Sequence, residues 1–185
     1  MVRILPKDLT ATNAGKIGMV IDHLVDALGG DPSCSLRRAL ILTDIAENPE
    51  TTQADIMKRL EIDKSSAHRD IEWLYDHGCI MRHQNRNDAR VLNLKVVGYS
   101  LRNLNIALEY FQNSHKSLKS FLEGFIKLFG NHKPTLRDAK IIAALGDKGT
   151  ASKQELLEEL YSGPVTTDTR SIHNLIMAGH ISRDD

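Results

Sequence analysis

The apolar positions of this chain fall into helical spacing over most of its length. Between about Asn13 and Leu28, residues Ile17, Val20, Ile21, Leu24, Val25 and Leu28 share one face, and Gly29-Gly30 supplies a stop. Three shorter helices are predicted next. Leu36, Leu40 and Ile41 start the first, which should end near Pro49; Thr52 caps a second carrying Ile56 and Leu60; Asp63 caps a third carrying Ala67, Ile71 and Leu74. Gly78 closes that third helix as a C-terminal glycine does. The period then changes. Cys79 to His83 and Val91 to Val96 are strand-like runs around the polar turn NRNDAR, and three helices closed by a hairpin make a winged helix-turn-helix.

From Tyr99 to Phe129 the apolar spacing becomes stricter. Leu101, Leu104, Leu108, Phe111, His115, Leu118, Leu122, Phe125 and Phe129 step by three and four, a two-position heptad seam. One helix over that stretch would run about 45 Å at 1.5 Å per residue, longer than a small winged domain needs for its own core. Its surplus apolar face predicts a partner, so Leu101, Leu104, Leu108, Phe111, Leu118, Leu122 and Phe125 are expected to build a homodimer; a core helix bridging units of one chain is the alternative.

The chain also matches itself. At a shift of 100 residues, Leu36, Arg37, Ala39 and Ile41 align with Leu136, Arg137, Ala139 and Ile141, and Asp55, Ile56 and Leu60 with Glu155, Leu156 and Leu160. One extra residue near Gly163 moves the shift to 101, where Arg69, Ile71, Leu74, Gly78, Ile80 and Arg82 meet Arg170, Ile172, Leu175, Gly179, Ile181 and Arg183. The expected fold is therefore mainly α with small β-hairpin wings, a tandem winged helix-turn-helix with long dimerisation helices. Its expected parts are an arm over 1–12, a leader helix and winged unit over 13–98, a long helix over 99–130 and a second winged-helix-like unit over 133–185.

Composition narrows the function classes. With 41% hydrophobic and 26% charged residues, the chain resembles ordinary globular domains rather than disordered ones. No apolar run reaches membrane-span length and the start, MVRILPKDLT, lacks a secretory core, so a cytoplasmic protein without a membrane partner is expected. Cys34 and Cys79 read as free thiols. Aromatic content of 5% leaves few platforms for stacking single-stranded bases. His77, Cys79 and His83 lie close in sequence, yet no second cluster completes four ligands, so neither a metal nor a cofactor is expected. The sequence contains no Gly-rich phosphate loop, HExxH or GxSxG, and an enzyme is not expected.

Net charge is zero, so affinity for DNA must come from a local patch. One exists. From Ile80 through Arg102 the cations Arg82, Arg86, Arg90, Lys95 and Arg102 face a single acid, Asp88, giving a net charge of +4. Arg86 and Arg90 bracket the hairpin tip, where arginine suits a narrow minor groove. The first turns of the third helix, DKSSAHRD, offer Lys64, Ser65, Ser66, His68 and Arg69 to the major groove. For Ser65 and Ser66 the competing role is to extend the cap, and for Arg69 to pair with Asp70 or Glu72. Residues 135–185 carry a net charge of −2 and end at ISRDD, where a wing would begin; Thr166, Thr167, Thr169 and Arg170 form a possible second contact surface for DNA, or for protein.

The run IEWLYDHGCIMRHQNRNDARVLNLKVVG, from Ile71 to Gly98, resembles the end of the recognition helix and the wing of MarR-type transcription factors. The shared features are a Leu followed by Gly-x-Ile-x-Arg, an Asp-x-Arg in the wing and a Gly opening the next helix. The resemblance implies a homodimer reading a pseudo-palindrome, with Arg90, braced by Asp88, in the minor groove. Ala89 departs from a frequent second Arg, VVG replaces a Thr-containing turn, and such proteins normally lack a second winged unit. The expected function is a sequence-specific, double-stranded-DNA-binding transcriptional regulator, a dimeric repressor in the first instance. Alternatives are a plasmid or phage replication or partition protein and, in another class, an interaction adaptor built on winged-helix surfaces. No effector is specified by these residues.

Overall fold

Short polar side chains set where the helices begin. The computed structural model describes residues 14–86, 88–130, 133–148, 150–160 and 165–182; the arm expected over 1–12 and Arg183 lie outside the described residues. After α1 (Ala14–Ala27), Ser35 caps α2 (Leu36–Glu47) by accepting the Arg38 amide. Thr52 and Asp55 form a reciprocal capping box at the start of α3 (Gln53–Leu60), and Asp63 caps α4 (Lys64–Asp76) through the Ser66 amide. Gly78 then takes φ 66°, a left-handed conformation that ends α4 and turns the chain into the hairpin.

β1 (Ile80–Gln84) and β2 (Leu92–Val96) pair antiparallel, with Ile80 opposite Val96 and Gln84 opposite Leu92. A third edge is supplied by Thr51, whose carbonyl accepts the Leu94 amide at 2.8 Å. The hairpin is thereby fastened to the loop between α2 and α3. The core beneath it gathers Ile41, Ile45, Ile56, Ile71, Leu74, Ile80 and Leu94, all buried. The fold is mainly α, as the hydrophobic pattern predicts, and among the described residues it carries one small hairpin wing.

The single long helix predicted over 99–130 is not formed. It is divided into α5 (Gly98–Glu109) and α6 (His115–Leu128). Gln112 and Asn113 adopt φ 54° and 59°, and Ser114 caps α6 by accepting the Ser117 amide. Two successive left-handed residues cannot continue a right-handed helix, so the heptad spacing that spans the break belongs to two helices with different neighbours. α5 packs on α1 and α6 on α2. Leu104, Leu108, Leu118, Leu122 and Phe125 are buried, and Leu101 and Phe111 are half-buried against the same core. The seam expected to meet a second subunit is thus covered within one chain.

Three more helices follow among the described residues: α7 (Leu136–Lys148), α8 (Lys153–Glu159) and α9 (Val165–Met177). Ser152 and Glu155 make a capping box for α8, and α7 packs on α1. No helix among the described residues is long and apolar enough to cross a membrane.

Candidate nucleic-acid interface

α4 is seated by its buried side. Asp70 is buried and accepts Arg37 Nε at 2.5 Å and Arg38 Nε at 3.2 Å, so two cations from α2 clamp the middle of α4. The Arg38 guanidinium also lies 4.2 Å from the centre of the Trp73 ring, and Trp73 stacks on His77 at 3.8 Å. This clamp fixes which face of α4 points outward. Sequence reasoning paired Arg37 with Arg137 as a repeat but missed its role, because the partner carboxylate lies 33 positions away.

On the outward face, Lys64, Ser65, His68 and Arg69 are exposed. Ser66 is not: it is buried, and its amide donates to Asp63 at 2.9 Å. Ser65 Oγ donates to the same carboxylate at 2.7 Å. Hydrogen bonds from these two serines hold the Asp63 carboxyl well below the usual carboxylate range. Both serines therefore extend the cap, and Ser66 departs from the outward position expected of it, since an N-cap aspartate draws the following turn toward itself. Arg69 contacts neither Asp70 nor Glu72; its guanidinium reaches Ser66 Oγ at 3.3 Å and stays exposed.

The wing's cations divide into two groups. Arg82 is tied down: it donates to Glu72 at 2.5 Å, and its guanidinium lies 4.4 Å from the centre of the Tyr75 ring. Arg82 lowers the Glu72 pKa by that hydrogen bond. The sequence offered Arg82 as a DNA contact, but a β1 side chain facing α4 finds a carboxylate first. At the tip, Arg90 is 91% exposed, and its Nε and terminal nitrogen each donate to Asp88 at 3.1 Å. The Arg90 amide adds a third contact at 3.0 Å, and Arg90 hydrogen bonding lowers the Asp88 pKa. Arg86, Lys95 and Arg102 are exposed as well.

A latch at the wing's base completes the arrangement. Glu50, at φ 69°, accepts Asn93 Nδ2 at 2.8 Å and lies 2.6 Å from His83 Nε2; the His83 contact lowers its pKa. The three residues weighed as metal ligands separate here. His77 lies on Trp73, His83 faces Glu50, and Cys79 is buried with its thiol pKa raised by that burial. On α9, Thr166 and Arg170 are exposed while Thr167 and Thr169 are half-buried.

A helix with an outward polar face and a hairpin with an exposed arginine at its tip are elements that a winged helix presents to DNA. The model of the MarR family matches residues 35–92. This segment is MarR-like. It takes in α2, α3, α4, β1 and the wing tip, so the family's features fall on the elements that carry Lys64, Arg69, Arg86 and Arg90. The MarR family is one of DNA-binding transcription regulators. A solved structure titled "Crystal Structure of MarR" is 18% identical with a TM-score of 0.39, covering 66% of this chain and 93% of that chain. No curated protein matches the chain.

Proposed function

We propose that the protein is a cytoplasmic, sequence-specific double-stranded-DNA-binding regulator of transcription that represses by occupying a promoter. The observation that carries this reading is the braced, exposed Arg90 of the wing tip together with the exposed Lys64, His68 and Arg69 of α4, all within the MarR-like segment. α4 lies in the major groove, where Arg69 grips a guanine edge or a phosphate. Arg86 and Arg90 enter the adjacent minor groove, whose focused negative potential attracts guanidinium groups. Asp88 holds the Arg90 guanidinium by two contacts and so reduces the entropy lost when it docks.

The second helical triplet, α7 to α9, is read as a further winged-helix-like copy. Thr166, Thr169 and Arg170 give it a contact surface of its own. The test is fluorescence anisotropy with a duplex selected from a random pool. Binding through six or more phosphates should fall by about a thousandfold or more between 50 and 200 mM salt. Affinity that hardly changes with salt supports the adaptor class instead and overturns this reading.

A further inference from the structure

Ser35 and Thr135 pair as an antiparallel bridge. Its two hydrogen bonds mirror each other: the Leu36 amide donates to the Pro134 carbonyl at 3.0 Å, and the Leu136 amide to the Cys34 carbonyl at 2.9 Å. Any antiparallel bridge has a local two-fold axis between its paired residues, which carries each neighbour of one onto the matching neighbour of the other. Here that operation is a shift of 100 residues. It is the shift that lays SLRRALIL on TLRDAKII. The backbone axis and the internal repeat therefore coincide, and α2 and α7, which start one residue later, are related by both.

The leader helices obey the same axis. At a shift of 101, Ile17, Val20, Ile21, Leu24 and Leu28 fall on Leu118, Phe121, Leu122, Phe125 and Phe129, and all ten are buried. Gly29 at φ 82° falls on Gly130 at φ 57°, so both leaders stop on a left-handed glycine. A two-fold that exchanges α1 with α6 and α2 with α7 demands that if α1 lies on α7, then α6 lies on α2. Both contacts are formed, each with an ion pair: Lys140 to Asp22 at 2.6 Å and Lys119 to Asp44 at 3.1 Å.

The third helices conform as well. Cys79 N donates to the Leu74 carbonyl at 2.8 Å after α4, and His180 N to the Leu175 carbonyl at 2.9 Å after α9. In each copy an arginine of the first helix clamps an aspartate of the third, Arg37 with Asp70 and Arg137 with Asp168, although Asp168 stands one turn earlier in its helix than the position matching Asp70, which is Ser171. Arg69 and Arg170 correspond, and both are exposed.

Resting on the DNA-binding reading above, we infer that one chain carries both halves of a two-fold reader: the second copy occupies the place of a partner subunit, and the target is a bipartite duplex site with unequal halves. One half is read by α4 and its wing through Lys64, Arg69 and Arg90. The other is read by α9 through Thr166 and Arg170. Residues 135–185 carry a net charge of −2, so the second half contributes sequence choice more than phosphate attraction. Two identical heads favour a palindrome; these two are different and favour an asymmetric site.

The experiment uses the full chain. Sedimentation equilibrium of the free protein should give one chain of 20.7 kDa, and the complex with a selected duplex one chain per duplex. Hydroxyl-radical footprinting should show two protected patches about one or two helical turns apart. Arg69→Ala and Arg170→Ala, both at exposed positions, should each weaken binding about tenfold and erase protection in opposite patches. Thermal melting by circular dichroism confirms that both variants remain folded. A free protein of two chains overturns the inference without reference to DNA. Two chains per duplex, or an Arg170→Ala footprint identical to the parent's, overturns it while leaving DNA binding intact. Failure to retain any duplex at 50 mM salt overturns the DNA-binding reading itself.

Discussion

Arg90 and Asp88 meet through two parallel contacts of 3.1 Å at the tip of the wing, with the arginine 91% exposed. Such a pair positions a cation without removing it from solvent. Arg90→Ala should weaken binding to all duplexes and lower the slope of log affinity against log salt by about one. Asp88→Ala keeps the cation and frees its arm, so affinity should fall while the slope holds or rises. Anisotropy titrations at several salt concentrations separate the two outcomes, and an unchanged affinity for Arg90→Ala counts against the wing contact.

Arg82 gives the contrasting prediction. Because its charge is already matched by Glu72 and its plane faces Tyr75, Arg82→Ala should leave the salt slope nearly unchanged. Its cost should appear in the thermal melting point, since α4 loses a tie to β1. A slope that drops by one, as for Arg90→Ala, would place Arg82 on DNA.

Asp44 is the most consequential carboxylate of the interior. It is fully buried, accepts Arg59 at 2.5 Å and Lys119 at 3.1 Å, and joins α2, α3 and α6. Arg59 and Lys119 both have raised pKa values; for Lys119, burial opposes the rise, and the hydrogen bonds it donates to Glu47 and Asp44 outweigh it. Asp44→Ala takes the carboxylate partner from Arg59 and leaves Lys119 with Glu47 alone, and should destabilise the fold by about 3 kcal/mol. Urea denaturation measures this, and a loss below about 1 kcal/mol would show that the site is solvated in the folded protein.

The Thr52 capping box predicts an acid limb. Asp55 is held below its ordinary value of 3.8 chiefly by the Thr52 hydroxyl. A carboxylate whose pKa is depressed by folding stabilises the protein above its unfolded value and loses that contribution as pH falls through the folded one. Thr52→Ala should cost about 1 kcal/mol at neutral pH. It should also flatten the decline in stability below about pH 4, since less remains to be lost. Parallel pH profiles of parent and variant contradict the box as the source.

Much of the architecture was legible because local chemistry and tertiary need agreed. Thr52 and Asp63 cap where a short polar residue precedes an apolar stripe, and Gly78 turns where only glycine is comfortable. The wing's Asp88 and Arg90 are two residues apart, so their contact is nearly dictated by sequence. The long helix was misread for the converse reason. Its spacing persists through Phe111 and His115, while the stop is written in Gln112, Asn113 and Ser114, none of which is a strong breaker. Asn tolerates a left-handed conformation and Ser caps the next helix, a weak signal beside nine periodic positions. Arg82 and Asp70 depended on partners on other elements, which periodicity does not encode.

Trp73 is the single tryptophan of the chain and lies on α4, between the Arg38 guanidinium and the His77 ring. Its indole emission is therefore an intrinsic gauge of that helix. Insertion of α4 into a groove should alter quantum yield without any attached dye, and a titration in a plain fluorimeter can follow occupancy in real time.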